Sequence, residues 1–275
     1  MRRLAAILML SLAFAYARAQ EPVAAAHEQR IARLDSLLDQ YVLTIQRSTA
    51  DAKMQEADFM IGAAADSATK QHVALKLFDY YKEAPVMGDE AVAIHIYDRW
   101  FRDGGLKWRS EFDEMDAKLF ADFNRSSLIG MQAPKITLRK PCRGKLQIPE
   151  EGRTAVIWFF DTSCGKCALE AKVLPGILEK ADFPLNFYAV YAGQSKKDWK
   201  AFRKEFKVGA RNVRVVHLWD KEIESDYLRL YGVISTPRLF MTEPSGTIIG
   251  RRLEPESLQQ MLPVAKEILK IYGQQ

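Results

Sequence analysis

Residues 154–172 read TAVIWFFDTSCGKCALEAK. The first seven form a continuous β-rich apolar run, the pattern of a strand covered on both faces. The run breaks at Asp161-Thr162-Ser163. Cys164 and Cys167 follow, separated by Gly165 and Lys166, and a helical pattern runs from Cys164 to about Lys180. Such a pair suits a working dithiol, half of a metal site, or two inert thiols on a helix.

The strand–CxxC–helix order favours the first use. A helix N-terminus presents unpaired N–H groups and partial positive charge, which stabilise a thiolate. A free cysteine titrates near ~8.5, and this placement lowers it to about 3.5–7.5. Cys164, at the helix start, is then the nucleophile, and Cys167, one turn later and deeper, attacks the mixed disulfide. Gly165 and Lys166 are supporting residues. The Lys166 charge favours the thiolate, although a solvated lysine fits that position equally well. A structural metal needs four ligands, normally from two such pairs. Here the remaining thiol is Cys142, in a turn-like PCRG, and His27, His72, His95 and His217 show no ligand spacing. No metal or external cofactor is expected. His95 reads as a packed core histidine and Cys142 as a lone thiol.

The periodicity divides the chain in two. From His27 to about Asn124 it is helical, an all-α bundle of four or five helices. Ile31, Leu34, Leu38, Tyr41 and Ile45 share one face, and Val73, Leu77 and Tyr81 another. Asp89 suits an N-cap before Val92, Ile96 and Trp100, and Trp108, Phe112, Met115 and Leu119 mark a further helix. Beyond SSLIGMQAP the pattern alternates. KITLRK and KLQI are short strands, and NFYAVYA and VRVVHLW are buried ones. KKDWKAFRKEF and EIESDYLRLYG are helices. RLFMTE and TIIGRRL flank a PSG turn, and a final helix starts at Pro255. Strands alternating with helices before a terminal hairpin predict an α/β sandwich.

The 275 residues carry 40 basic and 35 acidic side chains, a formal charge of +5. Residues 1–19 read as a secretory signal peptide: Arg2 and Arg3, an apolar run too short to span a bilayer, then Ala17-Arg18-Ala19. Removing Arg2, Arg3 and Arg18 with it leaves 37 basic against 35 acidic side chains. Near-neutrality and the lack of a basic, aromatic-interleaved run exclude nucleic acid as a partner. No later stretch approaches a membrane span. The chain is therefore expected to be soluble in the periplasm or cell envelope, where disulfides persist.

WFFDTSCGKCALEA together with YGVISTPRLFMTEPSGTIIG resembles the thioredoxin fold, specifically the exported TlpA/ResA-like thiol–disulfide oxidoreductases; GMQAPKITL resembles their entry segment. The resemblance covers about residues 128–275. It implies a central mixed sheet with helices on both faces, preceded by the helical domain at 20–127. It also implies a cis-proline at Pro237, with Thr236 before it, facing the CxxC. The chain departs from thioredoxin at Trp158, where a buried acid is usual, at Ser163, where tryptophan is usual, and at Lys166, where proline is usual. Asp161 and Glu170 lie near enough in sequence to handle protons, but structural or solvated roles suit them better. The implied activity is disulfide exchange with protein thiols and disulfides, supplied by a further electron donor or acceptor. The competing reading is a partner- or peptide-binding protein on a thioredoxin-like scaffold whose dithiol is vestigial.

Overall fold

The computed structural model describes residues 28–83 and 86–272. The expected signal peptide and His27 lie outside the described residues. The chain divides into two compact units, Met1–Gln55 and Glu56–Gln275.

In the first unit, helix α1 covers 28–44. Leu38 and Val42 are its buried positions, while Tyr41 is 37% exposed. The stripe read from the sequence is thus shifted by one residue at its fourth position, where branched Val42 replaces the amphipathic tyrosine. Helix α2 (Ala50–Gly62) spans the division.

In the second unit, α3 (Ser67–Lys82) is capped by Asp66, whose carboxylate accepts from Thr69 N at 2.8 Å. Its Val73, Leu77 and Tyr81 are buried, as their spacing predicts. Helix α4 (Glu90–Ile96) passes into a π-helical turn at Tyr97–Arg102. Asp89 stands at the N-cap position that the sequence assigns it, but with helical φ and ψ and without a side-chain cap bond. The Glu90 carboxylate instead accepts from Gly88 N. His95 is half-buried rather than packed into apolar surroundings: its Nε2 meets Asp58 Oδ2 at 3.0 Å, and Trp100 Nε1 donates to the same carboxylate at 2.7 Å.

Helix α5 (Glu111–Asn124) starts at Ser110, whose hydroxyl accepts from Asp113 N. Phe112, Met115 and Leu119 are exposed; Ala117, Phe120, Ala121 and Asn124 face inward. The helix carries two plausible apolar faces. The small-residue face is the one that packs, because it admits close approach and places Asn124 on a buried guanidinium. Trp108 precedes the helix and stacks on Phe101 with ring centroids 3.9 Å apart.

The sheet has seven strands in the order β2-β1-β5-β4-β3-β6-β7. They are β1 (Ile136–Arg139), β2 (Lys145–Ile148), β3 (Thr154–Phe160), β4 (Leu185–Tyr191), β5 (Val213–Trp219), β6 (Arg238–Thr242) and β7 (Ile248–Arg251). The central β3, β4 and β5 are parallel, and β6 runs antiparallel beside β3. β3 and β4 are buried along their whole length. Alternation on β3 sends Val156, Trp158 and Phe160 into one core, with Leu174 of α6 (Gly165–Leu178), Trp199 of α7 (Lys196–Glu205) and Leu258 of α9 (Pro255–Tyr272). Ala155, Ile157 and Phe159 enter the other core, with Tyr227 of α8 (Tyr227–Leu230) and Tyr231. This is the mixed sheet covered on both faces that the sequence predicts.

Two features lay outside the sequence reading. The helix expected over EIESDYLRLYG shrinks to α8, because the Asp220 carboxylate accepts from Glu224 N and Ser225 N and holds a turn there. Arg251, 2% exposed on β7, donates from Nη1 to Glu90 Oε1 and from Nη2 to Asn124 Oδ1, each at 2.6 Å. Arg252 reaches the same two residues. This buried clasp ties α4 and α5 to the edge hairpin.

Candidate active site at the CxxC helix

The site grows from the end of β3. Asp161 turns the chain: its Oδ1 accepts from Ser163 N at 2.9 Å and its carbonyl accepts from Cys164 N at 3.3 Å. Cys164 then stands as the N-cap of α6 with extended backbone, and its Sγ accepts from Cys167 N at 3.2 Å. A sulfur here takes the place that a serine or aspartate oxygen fills at other helix starts, satisfying an orphan donor. Both thiols are free; Cys164 is half-buried and Cys167 is 2% exposed.

The chain before β6 forms the facing wall. The Thr236–Pro237 bond is cis, and the Cys164 thiol lies 3.4 Å from the Thr236 carbonyl, to which it donates. The CxxC pair is thereby brought against Thr236 and Pro237, which lie far along the sequence from it. Arg238 braces the loop, donating from Nη2 to Ser235 Oγ at 2.9 Å and from Nη1 to the Pro237 carbonyl at 3.0 Å.

The two thiols are driven apart electrostatically. Burial pushes Cys164 up, but hydrogen bonds from the Cys167 side chain and backbone, the Thr236 side chain and the Lys166 backbone outweigh it, and the thiol titrates below its ordinary value. Burial, then the hydrogen bond with Cys164, pushes Cys167 up to about 12. The Lys166 ammonium pairs with Glu254 at 2.7 Å on the surface, so its backbone N–H is the part that serves the thiolate. A Cβ on Gly165 would meet open space, which leaves the approach to the sulfur clear.

Two further residues flank the site. Glu170, one turn after Cys167, is buried and accepts from Trp158 Nε1 at 2.8 Å; burial raises its carboxyl above the usual range. The residue standing where thioredoxin has an acid thus holds an acid contributed by the helix. Glu170 is the residue whose nearness to the CxxC is legible in the sequence, where a structural or solvated role suits it better. Arg238 left only one signal, its place directly after Pro237. Cys142 is exposed in the bend between β1 and β2. Among the described residues, no cluster of three or more His, Cys, Asp or Glu side chains is placed to hold a metal ion. No helix among them is long and apolar enough to cross a membrane.

Neither a protein-family model nor a curated protein matches the chain. Solved structures do. A thioredoxin-like protein from Bacteroides caccae superposes with a TM-score of 0.66 at 13% identity, over 85% of this chain and 84% of its own. The thioredoxin domain of a thiol-disulfide oxidoreductase from Bacteroides vulgatus matches 50% of this chain and 96% of its own, at 21% identity and a TM-score of 0.43. A thiol:disulfide interchange protein from Bacteroides sp. matches 50% of this chain and 90% of its own, at 22% identity and a TM-score of 0.44. The first of these likenesses shows the fold, which is thioredoxin-like.

Proposed function

We propose that this chain is an exported thiol–disulfide oxidoreductase that exchanges disulfides with protein partners through Cys164 and Cys167, with Thr236-Pro237 as the wall against which the partner lies. The observation that carries the reading is the Cys164 sulfur at the N-cap of α6. It accepts from Cys167 N and sits 3.4 Å from the Thr236 carbonyl, its titration lowered while that of Cys167 is raised.

The chemistry follows from that asymmetry. The Cys164 thiolate attacks one sulfur of a partner disulfide, the partner's second sulfur leaves as a thiolate, and a mixed disulfide forms. The partner strand lies against the Thr236 backbone beside the cis bond. Cys167 stays protonated and unreactive until this step. Once it loses its proton, it attacks Cys164, releasing the partner as a dithiol and leaving the Cys164–Cys167 disulfide. The reverse sequence oxidises a partner dithiol. Either direction is completed by a second protein dithiol or disulfide that resets the pair. Export rests on the signal-peptide pattern at 1–19, and the same proposal divides the remainder into a helical domain at 20–127 and the thioredoxin-like domain at 128–275.

The test is alkylation across a glutathione redox series. A reversible two-electron transition confined to Cys164 and Cys167 is expected, with insulin reduction lost in Cys164→Ser. Thiols that stay unreactive throughout the series, or undiminished insulin reduction in Cys164→Ser, would overturn the reading.

A further inference from the structure

A hollow of about 430 Å³ lies between the turn that leaves β3 and the start of α7. It begins one residue before the nucleophile: Ser163 lines it, with Asp161 and Thr162 of the same turn. Tyr191, at the end of β4, also lines it. That tyrosine is 1% exposed, and its hydroxyl shares a hydrogen bond with the Thr162 hydroxyl at 3.2 Å. A Cβ on Gly193 would run into both the Tyr191 hydroxyl and the Asp161 carboxylate, so glycine there lets these two groups stand together. Gln194, Ser195 and Asp198 complete the lining. The short side chains of Thr162, Ser163 and Ser195 leave the hollow open.

Its chemistry is one-sided. Every lining residue is polar, two are carboxylates, and none carries a positive charge. Lys196 and Lys197, which precede Asp198 on α7, are exposed and do not line it. A carboxylate only accepts hydrogen bonds, and each serine or threonine hydroxyl has two lone pairs for one hydrogen. Part of this capacity is spent within the chain, where Asp161 Oδ1 accepts from Ser163 N and Ser195 Oγ accepts from Asp198 N. Asp161 Oδ2 and both carboxylate oxygens of Asp198 make no hydrogen bond or ion pair with a described residue. A cation with several donors answers this set, whereas an acid or an apolar side chain does not. Guanidinium brings five N–H donors in a planar fork.

We propose that the hollow is a subsite for a basic side chain, arginine foremost, standing beside the reacting cysteine of the partner protein. The inference rests on the oxidoreductase reading and names its substrate class, disulfides flanked by arginine or lysine. The side chain docks on Asp161 and Asp198. Its charge near the reacting sulfurs also favours the thiolate that leaves the partner.

The experiment uses the full chain carrying Cys142→Ser and Cys167→Ser, so that Cys164 is the one thiol. The probes are synthetic peptides with a single cysteine activated as its mixed disulfide with 5-thio-2-nitrobenzoate. Arginine, its neutral isostere citrulline, or glutamate is placed in turn at each position flanking that cysteine. The Cys164 thiolate attacks the peptide sulfur, the nitrobenzoate thiolate leaves and absorbs, and a Cys164–peptide disulfide remains. At one flanking position the arginine peptide is expected to react about fivefold faster than the citrulline peptide, the upper range for an exposed ion pair. Moving the arginine to the far end of the peptide should abolish the advantage. It should also fall towards one in Ser163→Trp, which fills the hollow, and in Asp198→Asn. Asp198→Lys should make glutamate the faster peptide. Asp198 is exposed, so its two variants secure the test if tryptophan disturbs the turn before Cys164. Equal rates for arginine and citrulline at every position would overturn the proposal while leaving the oxidoreductase reading intact. So would an advantage kept at the far end of the peptide, or one unmoved in both Asp198 variants. No nitrobenzoate release from any peptide would instead overturn the oxidoreductase reading itself.

Discussion

Trp158 donates its indole N–H to Glu170 Oε2 at 2.8 Å in the buried layer between β3 and α6. The bond favours the carboxylate, but burial outweighs it and holds the carboxyl above its usual range. The carboxylate form is therefore disfavoured by folding. Its share of stability is fully present below the ordinary glutamate value near ~4.3 and is lost as pH rises through the raised folded value. Glu170→Gln keeps an oxygen for the indole and removes the titration. We expect the variant to melt higher than the parent at pH 7, by about 2–4 °C for each kcal/mol relieved, and the gain to vanish below about pH 4. Thermal melts at the two pH values check this. An unchanged difference between them would show that Glu170 does not titrate in the window.

The split between the thiols predicts unequal alkylation. In Cys142→Ser/Cys167→Ser, the iodoacetamide rate of Cys164 should rise with a midpoint below the ordinary cysteine value of about 8.5. In Cys142→Ser/Cys164→Ser, Cys167 should stay protected well above that pH, since burial is the first cause of its upward shift. Mass spectrometry of the labelled protein across pH 5–10 measures both. Coincident midpoints would remove the electrostatic basis for assigning attack to one sulfur and resolution to the other.

The parts legible in the sequence are those with local causes. TAVIWFF announces a doubly covered strand because every position is apolar, and Cys164 announces a helix start because a CxxC follows that strand directly. Pro237 was legible through resemblance to a known fold. What escaped depended on distant partners. The inward face of α5 is chosen by Arg251, more than a hundred residues away, and Phe112, Met115 and Leu119 are no worse as a periodic stripe. Asp220 shortens α8 through two backbone bonds that compete with a helix of acceptable pattern. Trp158 looked like the loss of an acid, and only the fold shows it holding Glu170.

The Arg251–Glu90 pair predicts a large stability effect. Both side chains are about 1–2% exposed, so removing one partner leaves an uncompensated buried charge. Glu90→Leu should destabilise the protein by about 3–5 kcal/mol, whereas Glu90→Leu/Arg251→Met should recover most of the loss. A double-mutant cycle in urea isolates the coupling. A double variant no more stable than Glu90→Leu would show that shape, rather than the uncompensated charge, sets the cost.

Arg238 predicts a separation between simple thiol reactivity and protein exchange. Its guanidinium spans Ser235 Oγ and the Pro237 carbonyl, fixing the loop that carries the Thr236 carbonyl towards Cys164. Burial, then the nearby Arg252 charge, lowers its titration, with Glu254 and Glu170 opposing. Arg238→Lys keeps the charge and loses the planar fork that makes the two bonds together. Charge-assisted bonds of this kind contribute about 1.5–3 kcal/mol each, so losing one from the loop proposed to receive the partner strand should lower kcat/KM for a protein disulfide by at least about tenfold. The iodoacetamide midpoint of Cys164 should stay within about half a pH unit of the parent, because the foremost bonds that lower it come from Cys167 at the N-terminus of α6, which the guanidinium does not touch. Measuring both on one preparation separates positioning from activation. A fall in protein exchange matched by an equal fall in thiolate reactivity would mean that Arg238 acts on the sulfur itself.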